Sequence, residues 1–284
     1  MKKLNQKLAV VLTGFTLLTG TPAVHADEQL FGFVRGAETL PKGHTDLYQF
    51  VTFRTGKDGG NYYGVDFDTE IEYGFTDSFQ ASAAIVNHYF NNNGVDGLDD
   101  ANIYRFGGFE LAGKYNVLSP FKEVVGLALR LEGGYLLHDE VGGLPQNEIF
   151  FAPEVDLQKN FRDDTLIWDL NFGPELAWGK TPAEEYDHEL ALQTATGLSY
   201  RFAPNWFVGP ECNFRAEYPN FDIGFFEHAT FYAGPSLHYS SKRWWTTLTP
   251  VYQAWGEGVD EPHNGKTYAE ESTWKIRWKV GFNF

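Results

Sequence analysis

Hydrophobicity in this chain repeats every second residue, and several stretches sustain that repeat for ten to fifteen residues. Tyr63, Val65, Phe67, Ile71 and Tyr73 share one parity, against Gly64, Asp66, Asp68, Glu70 and Glu72 on the other. Val125, Leu127, Leu129, Leu131, Tyr135 and Leu137 oppose Gly126, Ala128, Arg130, Glu132 and Gly134. Leu166, Trp168, Leu170, Phe172, Leu176 and Trp178 oppose Asp169, Asn171, Gly173 and Glu175. A period of two marks a strand with one apolar and one polar face. Sandwich strands alternate too, but they are usually about 5–6 residues long, whereas a tilted bilayer crossing takes about 9–11. The run lengths predict an all-β, transmembrane antiparallel up-and-down β-barrel.

The connections sharpen that expectation. Short turns (Phe75–Ser78, Ser119–Lys122, Asn160–Asp164, Ala203–Asn205, Ser240–Lys242) alternate with longer polar loops (Gly56–Asn61, Asn91–Ala101, His138–Gln146, Lys180–Asp187, Pro219–Phe225, Glu257–Glu271). Short periplasmic turns and longer outer loops are the habit of outer-membrane barrels. Counting between them gives about 12 strands, an even number that places both termini on the periplasmic side.

The first 26 residues read as a signal peptide: Lys2, Lys3 and Lys7, an apolar run from Leu8 to Leu18, then Val24-His25-Ala26 as a cleavage site. Residues 27–42 are either a periplasmic extension or a partial plug, and 43–284 form the barrel. Loss of the three lysines leaves 19 basic residues against 38 acidic ones. So acidic a chain is a poor binder of nucleic acid, because phosphate contacts need Lys and Arg. With one cysteine, Cys212, no internal disulfide is available.

Trp274, Ile276, Trp278, Val280, Phe282 and Phe284 alternate down to a terminal aromatic residue. This resembles the C-terminal insertion signal of bacterial outer-membrane β-barrels, which implies the barrel-insertion machinery as a partner and outer-membrane lipid and lipopolysaccharide as surroundings. The stretch Leu30-Phe31-Gly32-Phe33-Val34-Arg35-Gly36-Ala37-Glu38 through Tyr73-Gly74-Phe75-Thr76-Asp77 is similar to uncharacterised outer-membrane barrels of the porin-like, aromatic-catabolism-associated type. The resemblance implies an envelope location and a barrel. It brings no substrate and no catalytic residues.

Enzyme motifs are absent: there is no Gly-x-Ser-x-Gly elbow, no phosphate loop and no Cys-x-x-Cys pair. No cofactor is expected. A Pro-Glu repeat is more telling. Phe151-Ala152-Pro153-Glu154, Phe172-Gly173-Pro174-Glu175, Val208-Gly209-Pro210-Glu211 and Ala233-Gly234-Pro235-Ser236 recur in separate strands, with Thr249-Pro250 as a reduced form. Proline withholds a ladder donor. Pairing the strands through their turns sets Pro153 near Pro174, and Pro210, Pro235 and Pro250 in line. The belt is either a row of bulges or a weakened wall. The same parity sends Glu154, Glu175 and Glu211 into the lumen, with Arg130, Lys275, Arg277 and Lys279 elsewhere on its lining and Asp66 and Glu70 on another strand. These are the selectivity candidates of a charged pore. Alternatively, Lys275 to Lys279 pair with Asp66 to Glu72 and fill a narrow barrel. His138, His188 and His263 stand beside acids in the outer loops as weak metal candidates.

The expected function is passive passage of small solutes through an acid-rich lumen in the outer membrane. A structural or surface-binding barrel and a rim-located lipid-modifying enzyme are the alternatives.

Overall fold

The computed structural model describes residues 29–180, 186–259, 265–268 and 271–284. The signal peptide expected over residues 1–26 lies outside them. Twelve strands follow in order: β1 Thr45–Thr55, β2 Gly59–Thr76, β3 Phe79–Val95, β4 Ala101–Leu118, β5 Gly126–His138 and β6 Pro145–Phe161. The second half is β7 Leu166–Lys180, β8 Tyr186–Ala203, β9 Trp206–Pro219, β10 His228–Ser240, β11 Trp244–Gly258 and β12 Trp274–Asn283. Each pairs antiparallel with its chain neighbours, and β12 closes on β1 with Asp46 opposite Asn283. The chain is a closed up-and-down barrel of twelve strands. Closure removes every sheet edge, which an unsatisfied backbone in lipid requires.

The predicted faces hold. Leu129, Leu131 and Phe172 are 50%, 44% and 45% exposed, as expected of a lipid-facing band. Asp169 and Asn171, alternating with Leu170 and Phe172, are each 1% exposed and face the interior. We call the end where β1 begins and β12 ends the terminal rim, and its opposite the far rim.

Strands run further toward the far rim than hydrophobicity suggests. Asn91, Asn92 and Asn93 read as loop, yet they pair with Tyr63, Tyr62 and Asn61. Beyond the lipid there is no apolar demand on either face, so the ladder continues on backbone hydrogen bonds alone and the two-residue pattern fades. The loop asymmetry shrinks accordingly: β1 and β2 are joined by residues 56–58 only, while the terminal-rim connection of β4 to β5 spans 119–125.

The prolines meet as predicted. Pro210 pairs with Pro235; Ala233 opposite Tyr252 and Leu237 opposite Leu248 set Pro235 against Pro250. Phe151 opposite Leu176 and Val155 opposite Phe172 do the same for Pro153 and Pro174. They are not bulges. Register runs straight through them, and the single shift between β10 and β11 lies at Phe231/Tyr232. The glycine before Pro174, Pro210 and Pro235 makes the approach possible: a Cβ on Gly209 would sit 1.7 Å from the Leu198 carbonyl oxygen, and one on Gly234 1.9 Å from that of Pro250.

Candidate functional site

The interior near the terminal rim is occupied by the segment that precedes β1. Leu30, Phe31 and Val34 are buried in a small apolar cluster with Ile167 of β7 and Phe207 of β9. Gly197 makes room for it, since a Cβ there would lie 2.4 Å from the Phe31 ring. Apolar contact alone would not fix a segment that belongs to no strand and whose backbone groups need partners. The wall supplies the partners. Thr247 Oγ1 donates to the Gln29 carbonyl at 2.7 Å and Lys279 Nζ to that of Phe31 at 2.9 Å. Glu211 accepts from the Gly32 and Phe33 N–H groups. Asn171 clamps Arg35 at both N–H (2.7 Å) and carbonyl (2.9 Å). Gln158 takes the Ala37 N–H at 2.7 Å, Asn116 donates to the Ala37 carbonyl, and Gln80 takes the Leu40 N–H.

Beyond this segment lies a polar cavity of about 650 Å³. Its lining reaches from Gln80, Lys114 and Lys279 near the terminal rim to His138, Glu140 and Glu227 at the far rim. Two far-rim connections bend inward over it. The β5–β6 connection is held by Arg54 Nη1 on the Glu140 carbonyl and by the Tyr62 hydroxyl on that of Val141 at 3.1 Å. The β11–β12 connection is held where Gln253 Nε2 donates to the Thr267 carbonyl at 2.8 Å and Tyr232 donates to that of Ser272.

The lumen-facing charges form separate groups. Arg54 pairs with Asp66 at 2.6 Å. Arg130 holds Glu132 at 2.6 Å with Glu154 at 4.0 Å, and Arg35 reaches both from inside, at 3.9 and 3.6 Å. Arg215 gathers Glu175 at 2.9 Å, Glu189 at 3.4 Å and Glu217. Glu154, Glu175 and Glu211 therefore do not share one ring: one belongs to Arg130 and Arg35, one to Arg215, one to the inner segment. Lys275 and Arg277 make no ion pair with Asp66 to Glu72 among the described residues, since β1 stands between β12 and β2. Lys275 turns instead to Glu271 at 2.6 Å, and Arg277 donates to Thr52 Oγ1 at 2.8 Å. Glu70 lines the cavity with Asp66.

Of the histidines, His138 is buried edge-on against His88, ring centroids 4.8 Å apart, while His188 lies against Phe221. His263 lies outside the described residues. Among the described residues no three His, Cys, Asp or Glu side chains are grouped to hold a metal. Sequence reasoning passed over Arg215, Gln158 and Asn171. The inward parity of each was readable, but what it would meet was not. From Trp274 to Phe282 the final aromatic series lies on β12, and the terminal Phe284 N–H reaches the Thr45 carbonyl at 2.8 Å.

Two solved structures are similar in fold. The COG4313 outer membrane channel from Pseudomonas putida F1 superposes with a TM-score of 0.62 at 10% identity, over 87% of this chain and 98% of that one. The NanC porin gives a TM-score of 0.50 at 8% identity, over 84% and 98%. At such identities the likeness is one of fold, and the fold is that of outer-membrane barrels. No curated protein matches the sequence. The family model of DUF6662, a family of unknown function, matches residues 23–284, and the chain belongs to that family.

Proposed function

We propose that this barrel lies in the outer membrane and passes small hydrophilic solutes passively through a charged lumen narrowed by its own residues 29–41. The observation that carries the reading is the polar cavity, whose lining extends along most of the barrel. A barrel built only as an envelope strut has no need of a solvated charged interior, and small barrels fill theirs with side chains. The similar structures include a channel and a porin by name. Sixteen Asp and Glu residues line the cavity against eight Lys and Arg. That balance favours cations, because a charged lining acts over distances too short for salt to screen well.

Conductance of the purified protein in planar bilayers tests the proposal. Discrete conductance steps with a reversal potential on the cation side of zero are expected across a salt gradient. A silent barrel would favour the non-transporting alternative, for which the dense hydrogen bonding of the inner segment is the supporting observation. Nothing in the geometry favours the rim-located enzyme.

A further inference from the structure

Many charged groups in the cavity already have partners of opposite sign. Arg54, Arg130, Arg215 and Lys275 each hold a carboxylate within 3 Å. Several lining residues have no such partner, three of them being Arg277, Asp68 and Glu110. Arg277 has no carboxylate within 4 Å among the described residues, and the side-chain carboxylates of Asp68 and Glu110 have neither an ion pair nor a hydrogen bond there. We infer that Arg277 on one side, with Asp68 and Glu110 on the other, forms a subsite for small ampholytes, solutes that carry one ammonium and one carboxylate group. The inference rests on the channel reading and names its preferred solute.

Arg277 is built to receive a carboxylate. Its guanidinium carbon lies 4.3 Å from the centroid of the Phe33 ring, and its Nε and Nη1 donate to Thr52 Oγ1 and, at 3.4 Å, to the Gly32 carbonyl. Stacking and two hydrogen bonds fix the plane, while the Nη2 N–H groups have no acceptor among the described residues. A planar fork held in this way is pre-organised for a carboxylate. The acids are unmatched for a readable reason. Asp68 has Phe50 and Val86 as cross-strand neighbours, and Glu110 has Ala84 and Gly134. None of these four can pair with a carboxylate.

The two halves lie at a useful separation. Arg277 of β12 is opposite Thr52 of β1, and Thr52 is opposite Asp66 of β2, two residues along the same face from Asp68. Two strand spacings amount to about 10 Å of wall between Arg277 and Asp68, and Glu110 on β4 lies two strands further round. A short amino acid spans what the side chains leave. A desolvated charge without a counter-charge is costly, so an ampholyte that satisfies both ends gains over a simple cation or anion, which leaves one end uncompensated.

The test uses the full barrel in proteoliposomes, with labelled β-alanine and arabinose supplied together and the ratio of their uptake as the readout. A variant that inserts poorly lowers both solutes and leaves the ratio intact. We expect the ratio to fall by about tenfold in Arg277→Gln and in Asp68→Asn/Glu110→Gln, the loss of roughly one charge-assisted interaction. Excess propylammonium or propionate should compete less well than unlabelled β-alanine. Arabinose uptake with a β-alanine ratio unaltered by either variant would overturn the subsite and leave the channel standing. Propylammonium competing as well as β-alanine would also overturn it, in favour of a plain acidic lumen. Uptake of neither solute would remove the channel reading and this inference with it.

Discussion

The Glu211 carboxylate accepts the backbone N–H of Gly32 at 2.9 Å, tying the middle of the inner segment to the wall of β9. The neighbouring Phe33 N–H is bound by the same carboxylate, and Glu211 is fully buried. Two buried N–H groups lose their acceptor if this side chain is truncated, at about 1–3 kcal/mol each. Glu211→Ala is therefore expected to release the segment in a measurable fraction of molecules. Trypsin should then cleave at Arg35, which the wild-type lumen protects, and arabinose uptake should rise. Equal protection of Arg35 in both proteins would show that the remaining clamps, Asn171 above all, hold the segment without Glu211.

The barrel was legible because alternation is a property of the sequence itself. Trp168, Leu170 and Phe172 have to share a face whatever their partners are. Even the proline meetings followed, since turn positions fix register and Pro210 opposite Pro235 is arithmetic along two strands. The inner segment was less accessible. Its partners are its own backbone N–H and carbonyl groups, which no side-chain pattern encodes. One signal was present nonetheless: Ile167 and Phe207 are large apolar residues of inward parity, and an apolar patch on a polar lumen face needs something apolar to cover it. Leu30, Phe31 and Val34 supply that cover. Parity gave the inward direction of Glu154, Glu175 and Glu211 but not their partners, because position along a strand fixes direction alone, and Arg215 and Arg35 hold two of the three.

Register makes a sharper prediction than topology does. Leu170 faces lipid between Asp169 and Asn171, and an arginine at the bilayer midplane of a barrel's outer face costs about 2–4 kcal/mol. Leu170→Arg should lower the yield of heat-modifiable folded barrel strongly. Glu148→Arg, on the cavity lining, should fold nearly as well as wild type. Asp169 is a poor control despite its inward direction, because it is 1% exposed and has no room for a longer side chain. Similar folding of Leu170→Arg and Glu148→Arg would mean that the lipid and lumen faces have been exchanged.

The inward β11–β12 connection should respond to acid. Burial alone would raise the Glu271 carboxyl, yet the Lys275 ammonium beside it, through charge and hydrogen bond, together with His228 and Arg215 outweighs burial and brings the group from 4.5 down to about 2. A carboxylate depressed in the folded state stabilises it fully above the unfolded value, and that contribution is lost as the pH falls toward the folded value. The window is therefore about pH 4.5 down to 2. Amide exchange of residues 265–268 and 271–273, corrected for intrinsic rate, should accelerate between pH 5 and about 3. Lys275→Met should show the same loosening already at neutral pH. A connection equally protected at both pH values would assign its hold to Thr267 and Ser272 instead.

The end of the chain carries the last prediction. Thr45 and Phe284 exchange backbone hydrogen bonds at 2.8 and 3.3 Å, beside the β1–β12 seam that closes the barrel. Two demands therefore meet in the last three residues. The seam needs their backbone, and the proposed recognition by the insertion machinery needs the aromatic side chains in outward parity. The demands separate experimentally. Phe284→Ser keeps the backbone bonds and removes only the ring, so the purified protein should refold in detergent as well as wild type while its outer-membrane yield in cells falls. Deletion of Phe282 to Phe284 also removes the Leu47–Phe282 and Asp46–Asn283 pairings, and it should impair refolding as well as insertion. Normal yield of folded Phe284→Ser in the membrane would mean that the terminal ring is not read and that Trp274, Ile276, Trp278 and Val280 suffice. Normal refolding of the deletion would mean that the seam is secured from Tyr48–Gly281 onward, with the last turn of the ladder dispensable to closure.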